Sequence, residues 1–424
     1  MSEHASLPLA AAPWAATSGA KITGVRTFLT APQGSPYLVV RVETDQPGLY
    51  GLGCASDPQR TLAVRSVVVD YLGPMLLGRD PGDVEDIHRL LLNSGYWRGG
   101  SISGNALAGV DIALWDILAK AAGMPLYALL GGRVRDGVQA YTHVDGGTSA
   151  EIIDRVDAAV AQGFRHVRVQ VAVPGNDSYG TGVTDDRLRR LARSRDATWD
   201  TPSYLAVVPE VLREVRAGVP RDIQLLHDVH ERLTPAQARR LLRAVDDLDL
   251  FFLEDLLAPE DAAYLPQLRA QSAVPLAMGE LFVDPEQFLP LIQHRAIDFA
   301  RIRVPTLGGL TPSRKLVAAC ELFGVRIAPH GPGDVSPLGH AANLALDLCS
   351  PNFGIQEAAA FTDATVAVFP GTPLPRNGSL WPTQVPGLGV DFDEVAAARY
   401  PPPEPGEHDR WALLRATDGS AHRP

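Results

Sequence analysis

Three acids, Asp228, Glu254 and Glu280, are spaced 26 residues apart, and each lies in or at the end of a short run of apolar, strand-forming residues: LLHDVH, FFLED and PLAMGE. That interval is about what one strand, one helix and two short loops occupy, so the acids are expected at equivalent points on consecutive βα units. In a parallel α/β barrel those points share one face. Carboxylates facing one another raise each other's pKa, whereas an oxygen-seeking divalent ion stabilises all three at once. Mg²⁺ suits such a set because it keeps coordination positions for water or for a substrate's oxygens. Any single acid could simply cap a strand end or a helix start. Three in register, followed by further polar strand ends, favour a site.

Residues 21 to about 56 alternate as antiparallel strands do, KITGVRTFLT then YLVVRVETD, with QPG turning the chain before LYGLGCA. From about 58 to 130 the periodicity is helical. It is clearest in ALAGVDIALWDILAKAAG, where Leu107, Val110, Leu114, Ile117 and Leu118 fall on one face. From Gly137 onward eight β-rich segments alternate with helical patterns: VQAYTHV, HVRVQV, QLLHDV, FFLED, PLAMGE, FARIRV, RIAPHG and GIQEAA. Eight such strands make a barrel. The longest interval follows the second strand, an insertion of the kind that walls an active site. The expected division is a disordered extension over 1–20, an α+β domain over 21–135, a barrel over 136–370 and a Pro- and Gly-rich C-terminal segment over 371–424.

A chain of 424 residues, 46% hydrophobic, is long enough for a large barrel and a smaller domain. Its formal net charge of −11 offers no basic stripe for phosphates, which argues against a nucleic-acid partner. Cys54, Cys320 and Cys349 are odd in number and far apart in apolar or small-residue surroundings, which reads as buried free thiols in a reducing compartment. Charges or glycine interrupt the apolar stretches before the ~20 residues of a membrane span, so no membrane partner is expected. The Ala-rich start lacks a basic n-region, and a cytoplasmic location is expected.

Collecting the polar strand ends gives the mouth of the barrel its chemistry. His143 ends the first strand, Arg168 lies on the second, Asp228 and His230 end the third, and Glu254 and Glu280 end the fourth and fifth. Arg301 sits on the sixth, His330 with Asp334 follows the seventh, and Glu357 ends the eighth. His230 stands two residues beyond Asp228, so on an extended strand its imidazole points to the same side as the acid, placed to move a proton. His330 and Asp334 read as a hydrogen-bonded pair, with Gly331 and Gly333 letting the backbone approach a ligand.

The ordered set HDVHERLTP, FFLEDLLAPED, PLAMGE, GGLT at Gly308 to Thr311, HGPGDVSPLG and PNFGIQE resembles the enolase superfamily, and within it the mannonate dehydratase subgroup. The likeness runs from Lys21 to Tyr400 and includes YWRGG and MPLYALLGGRVRDGV. It implies an α/β fold, a modified (β/α)7β TIM-type barrel with an α+β N-terminal capping domain on which the C-terminal segment packs back. It also implies one Mg²⁺ held by Asp228, Glu254 and Glu280, and a homo-oligomer, tetramer or octamer. The implied reaction abstracts the proton α to a sugar-acid carboxylate and eliminates hydroxide, converting an aldonate such as D-mannonate or D-gluconate to a 2-keto-3-deoxy acid. Members with a lysine base carry KxK on the second strand; here the stretch reads Arg168, Val169, Gln170. The mannonate dehydratase pattern pairs this arginine with a tyrosine, matched by Tyr179, whose phenol the cation makes more acidic. By the same likeness His230 is the general acid, and His143, Arg301, His330, Asp334 and Glu357 bind substrate.

Four departures set the chain apart from that pattern. The loop from Arg168 to Tyr179 is one residue shorter, and Pro58 stands where an asparagine is usual. The terminal tryptophan is missing, and Pro332 occupies a position that is alanine in proficient mannonate dehydratases and proline in poor ones. All four bear on substrate and positioning rather than on the metal, and they mark a low-activity or divergent member. Two other readings stay open: a sugar-acid epimerase or racemase, and a catalytically weak metal-dependent sugar-acid-binding protein.

Overall fold

The computed structural model describes residues 19–171, 198–404, 415–416 and 418–423. Strands Ile22–Thr30 (β1), Tyr37–Thr44 (β2) and Tyr50–Cys54 (β3) form an antiparallel sheet in the order β1-β2-β3. Helix Ser101–Ala121 (α1) packs on it at close range. A Cβ at Gly51 would stand 1.9 Å from the Ala113 carbonyl oxygen, so only glycine admits this approach.

The expectation of one buried face on α1 needs correcting. Leu107, Val110, Leu114 and Ile117 join the core of the N-terminal domain, with Leu118 partly buried against it, while Ala108, Ile112 and Ala119 on other sides join the barrel's core. A helix shared between two cores is apolar nearly all round. The same fact corrects the reading of the apolar stretches, for α1 is long and apolar enough to cross a membrane, yet most of it is buried inside the protein.

The eight barrel strands are Val138–Gly146 (β4), His166–Val171 (β5), Gln224–Asp228 (β6), Phe252–Glu254 (β7), Leu276–Met278 (β8), Phe299–Ala300 (β9), Arg326–Ile327 (β10) and Gln356–Glu357 (β11). Parallel pairing runs from β4 through β10 in order, and β11 pairs back to β4. Ile327 bridges Phe353, just ahead of β11, so the ring closes. Tyr141, Leu226, Phe252, Phe299 and Ile355 fill the interior as an apolar plug, each fully or almost fully buried. The polar mouth rests on this floor.

The N-terminal domain is bolted to the segment that follows β9. Trp115 Nε1 donates to Thr311 Oγ1 at 2.9 Å, and the Thr311 N–H donates to Asp111 Oδ2 at 3.0 Å. From the C-terminal segment, Glu394 pairs with Arg26 and Arg41, and the Leu388 N–H donates to Asp116 Oδ1 at 2.8 Å. Asp116 Oδ2 also accepts from the Leu52 N–H at 3.0 Å, so one buried acid joins β3 to the end of the chain.

Gly104 on α1 tests how tight the bolt is, because a Cβ there would lie 1.9 Å from the Thr306 carbonyl oxygen. Alanine gains about 1 kcal/mol of helix propensity over glycine, whereas overpacking a rigid backbone contact costs about 1–3 kcal/mol. Gly104→Ala is expected to lower the denaturant midpoint. A midpoint equal to or above the parent's would contradict the contact.

Candidate functional site

Asp228 and Glu254 are register partners at the last positions of β6 and β7. The β8 partner of Glu254 is Ala277, so Glu280 lies three residues farther along, past Gly279 with its φ of 134°. Equal spacing in sequence is therefore not equal register: two acids leave from strands and the third from a turn. Asp228, Glu254 and Glu280 are 3, 0 and 7% exposed, and charges so far from water need partners.

Two guanidinium groups supply them. Arg168 Nη1 lies 3.4 Å from Asp228 Oδ2, 3.1 Å from Glu254 Oε2 and 3.8 Å from Glu357 Oε1. Arg301 donates through Nε to Glu254 Oε1 and through Nη2 to Glu357 Oε2 at 2.6 Å, while Nη1 donates to the Ala328 and Pro329 carbonyls. Both guanidinium carbons lie within 6 Å of the Tyr141 ring centroid, at 5.9 and 5.7 Å. Arg301 and Glu357 have no exposed surface, so as they stand they orient other groups.

The histidines face this cluster. His143 Nε2 lies 2.9 Å from Glu357 Oε1, and its Nδ1 lies 3.3 Å from Arg168 Nη2. Arginine only donates, so Nδ1 accepts and the proton sits on Nε2 toward the acid. His143 does not end its strand, since β4 continues to Gly146. For His230 the extended-strand argument fails: β6 stops at Asp228, and His230 and Glu231 both take φ 56°. The imidazole still reaches the cluster, with Nε2 3.7 Å from Glu280 Oε1, while the His230 N–H donates to Asp228 Oδ1 at 2.8 Å.

The expected pairing of His330 with Asp334 is replaced by a three-part contact. Arg303 Nη1 lies 3.1 Å from His330 Nδ1 and 3.3 Å from Asp334 Oδ1, so the arginine stands between them. With Nδ1 accepting, His330 carries its proton on Nε2, 3.1 Å from Glu280 Oε2. Gly331 and Gly333 serve the scaffold: the Gly331 N–H donates to Glu357 Oε2 at 2.9 Å, and the Gly333 carbonyl accepts from Tyr37 Oη at 2.6 Å.

Burial pushes the Asp228 carboxyl well above its usual range, and the neighbouring Glu254 adds to this. Burial opposes ionisation of Glu280 too, but His330 and His230 outweigh it and hold that acid well below the ordinary range. Sequence reasoning missed Asp255, directly after Glu254. Burial and then Glu280 raise its carboxyl strongly, and its Oδ1 accepts from the Gly279 N–H at 3.3 Å. It also missed Arg303, although the i, i+2 spacing from Arg301 is the same signal that singled out His230.

Among the described residues no three His, Cys, Asp or Glu side chains stand around one point as metal ligands. The donor chemistry for a hard cation is present nonetheless. Asp228 Oδ2 and Asp255 Oδ2 are buried and, among the described residues, accept no hydrogen bond. Buried carboxylate oxygens that are costly to ionise together are what a divalent ion stabilises. Tyr179 and most of the long loop after β5 lie outside the described residues.

Two family models cover most of the chain: the mandelate racemase / muconate lactonizing enzyme N-terminal domain over residues 16–131, and the enolase C-terminal domain-like family over residues 151–396. A Streptomyces sp. (strain SPB074) protein named D-galactonate dehydratase family member is 66% identical over 98% of this chain and 95% of its own length. A family member of that name from Salmonella enteritidis is 46% identical over 96% of this chain and 99% of its own. Among solved structures, an enolase from Pantoea ananatis with bound D-gluconate and Mg is 43% identical, with a TM-score of 0.89 over 96% of this chain and 100% of its own. A barrel closed by eight parallel strands, a capping domain bolted across its mouth and these matches agree: the chain belongs to the enolase superfamily and, within it, to the D-galactonate dehydratase family.

Proposed function

We propose that this protein dehydrates a five- or six-carbon aldonate, of the D-mannonate or D-gluconate kind, to a 2-keto-3-deoxy acid with Mg²⁺ as cofactor. The observation that carries the reading is the buried acid cluster of Asp228, Glu254 and Glu280 with proton-bearing imidazoles at its edge. The Pantoea ananatis relative, solved with D-gluconate and Mg, supports both ligand and metal.

Asp228, Glu254 and Glu280 would hold the cation. When bound it supplies positive charge where the substrate carboxylate gains negative charge as the α-proton leaves. Arg168 and Arg301 hold Glu254 and Glu357 in place and help to keep Glu357 ionised, so the site is organised before the substrate arrives. Tyr179 is assigned as the base, its phenol made more acidic by the guanidinium of Arg168. His230 is assigned as the acid that protonates the departing hydroxide, His143, His330 and Asp334 as the groups that bind the sugar acid, and Arg301 and Glu357, which have no exposed surface, as the groups that orient them.

With Mg²⁺ and a panel of aldonates, a semicarbazide assay is expected to detect 2-keto-3-deoxy product from at least one, and His230→Asn to lower that rate by about 100-fold or more. Solvent deuterium entering C2 without loss of water would replace dehydration with epimerisation. An unchanged rate in the variant would remove His230 from its role.

Metal dependence follows from the raised Asp228 carboxyl. A group raised in the fold contributes stability below the ordinary carboxylate range of about 4, and that contribution is lost as pH rises toward the raised value. Mg²⁺ competes with the same protons. The Mg²⁺-induced rise in Tm is therefore expected to be larger at pH 8 than at pH 5.5, and to shrink in Asp228→Asn. Equal shifts at both pH values would contradict a carboxylate site.

A further inference from the structure

Arg303 is a third guanidinium at the mouth of the barrel, and among the described residues its ion pair is with Asp334 rather than with the acids of the cluster. Its side chain is nine-tenths buried, and among the described residues only Nη1 is engaged, with His330 and Asp334. Nε and Nη2 have no hydrogen-bond partner there, and neither is among the fully enclosed polar atoms. Asp334 keeps 32% of its side chain exposed. The pair offers N–H donors beside a carboxylate acceptor, and Glu280 and Asp57 add negative charge around the guanidinium.

Its position is fixed from two sides. The Thr306 and Leu307 N–H groups both donate to the Arg303 carbonyl at 3.1 Å, and the following turn is held by α1 through Asp111 and Trp115. The imidazole of His330 bridges Arg303 and Glu280, so Arg303 stands one ring width from the acid cluster. On the dehydratase reading, a sugar acid held by its carboxylate at that cluster would present its later carbons to Arg303.

A hydroxyl both donates and accepts, so it satisfies an arginine and a carboxylate side by side. A second carboxylate only accepts, and it would meet the charge of Asp334. Building on the dehydratase reading, we infer that Arg303 with Asp334 is a specificity-determining subsite that engages hydroxyls on the far carbons of a monocarboxylic sugar acid and rejects diacids.

The test uses the full-length, Mg²⁺-loaded protein and thermal protection by three acids: D-gluconate, D-glucarate with its second carboxylate, and D-glycerate, too short to reach the pair. The parent is expected to bind D-gluconate at least 10-fold more tightly than D-glucarate. Arg303→Met is expected to weaken D-gluconate by about 10- to 100-fold, the range for hydrogen bonds to a charged group, and to leave D-glycerate within 2-fold. Arg303→Lys recovers part of the loss and serves in its place should the methionine variant not fold, and Asp334→Asn narrows the gap between gluconate and glucarate. Unchanged gluconate binding in Arg303→Met, or an equal loss for glycerate, would overturn the subsite. The readout is binding, so a missing keto product would sink dehydration and leave this inference standing. A parent that binds none of the three acids overturns both.

Discussion

The mouth of this barrel is governed by the cost of burying charge. Asp228, Glu254, Asp255, Glu280 and Glu357 all stand at or below 7% exposure within one cluster. Isolated from water, any one of them would take up a proton. Arg301 prevents that for Glu357, helped by His330, His143 and Arg168, and His330 and His230 prevent it for Glu280. Asp228, Glu254 and Asp255 are left raised, because burial outweighs the guanidinium groups beside them. An excess of buried carboxylate over cation is a standing demand for positive charge, which is the physical basis for a metal here.

The rest of the fold keeps that arrangement rigid. The apolar plug under the mouth fixes the floor, and Tyr141 sets its ring beneath both arginines. Helix α1 belongs to the core of each domain, so the capping domain cannot drift relative to the segment that carries Arg301 and Arg303. Removing one partner of a buried ion pair costs about 3–5 kcal/mol, which ties the stability of the barrel to the same contacts that organise its chemistry.

Much of this was legible in the chain. The three antiparallel strands and the eight barrel segments followed from alternation and spacing, and the acids from their recurrence. What was not legible depended on geometry that no periodicity encodes. His230 was placed by an extended strand that ends two residues before it, and its actual position comes from a left-handed turn. Helix α1 showed one apolar stripe because a helical wheel cannot reveal a second core on the opposite side. His330 and Asp334 are close in sequence, yet the group joining them is Arg303, twenty-seven residues before His330 and brought there by barrel closure. The family likeness supplied roles for residues that match its pattern, and so gave no reason to look at Arg303.

The family sets the chemistry and this chain's own residues set the substrate, which separates two kinds of evidence. The acid cluster is proposed to answer to metal, and the Arg303–Asp334 pair to the shape and charge of the far end of the ligand. The first is the more fundamental, and anomalous diffraction from crystals soaked in Mn²⁺ as a stand-in for Mg²⁺ addresses it directly. A single strong peak bounded by oxygens of Asp228, Glu254 and Glu280 is the expected result. No peak in the barrel mouth, or a peak that those three acids do not touch, would contradict it.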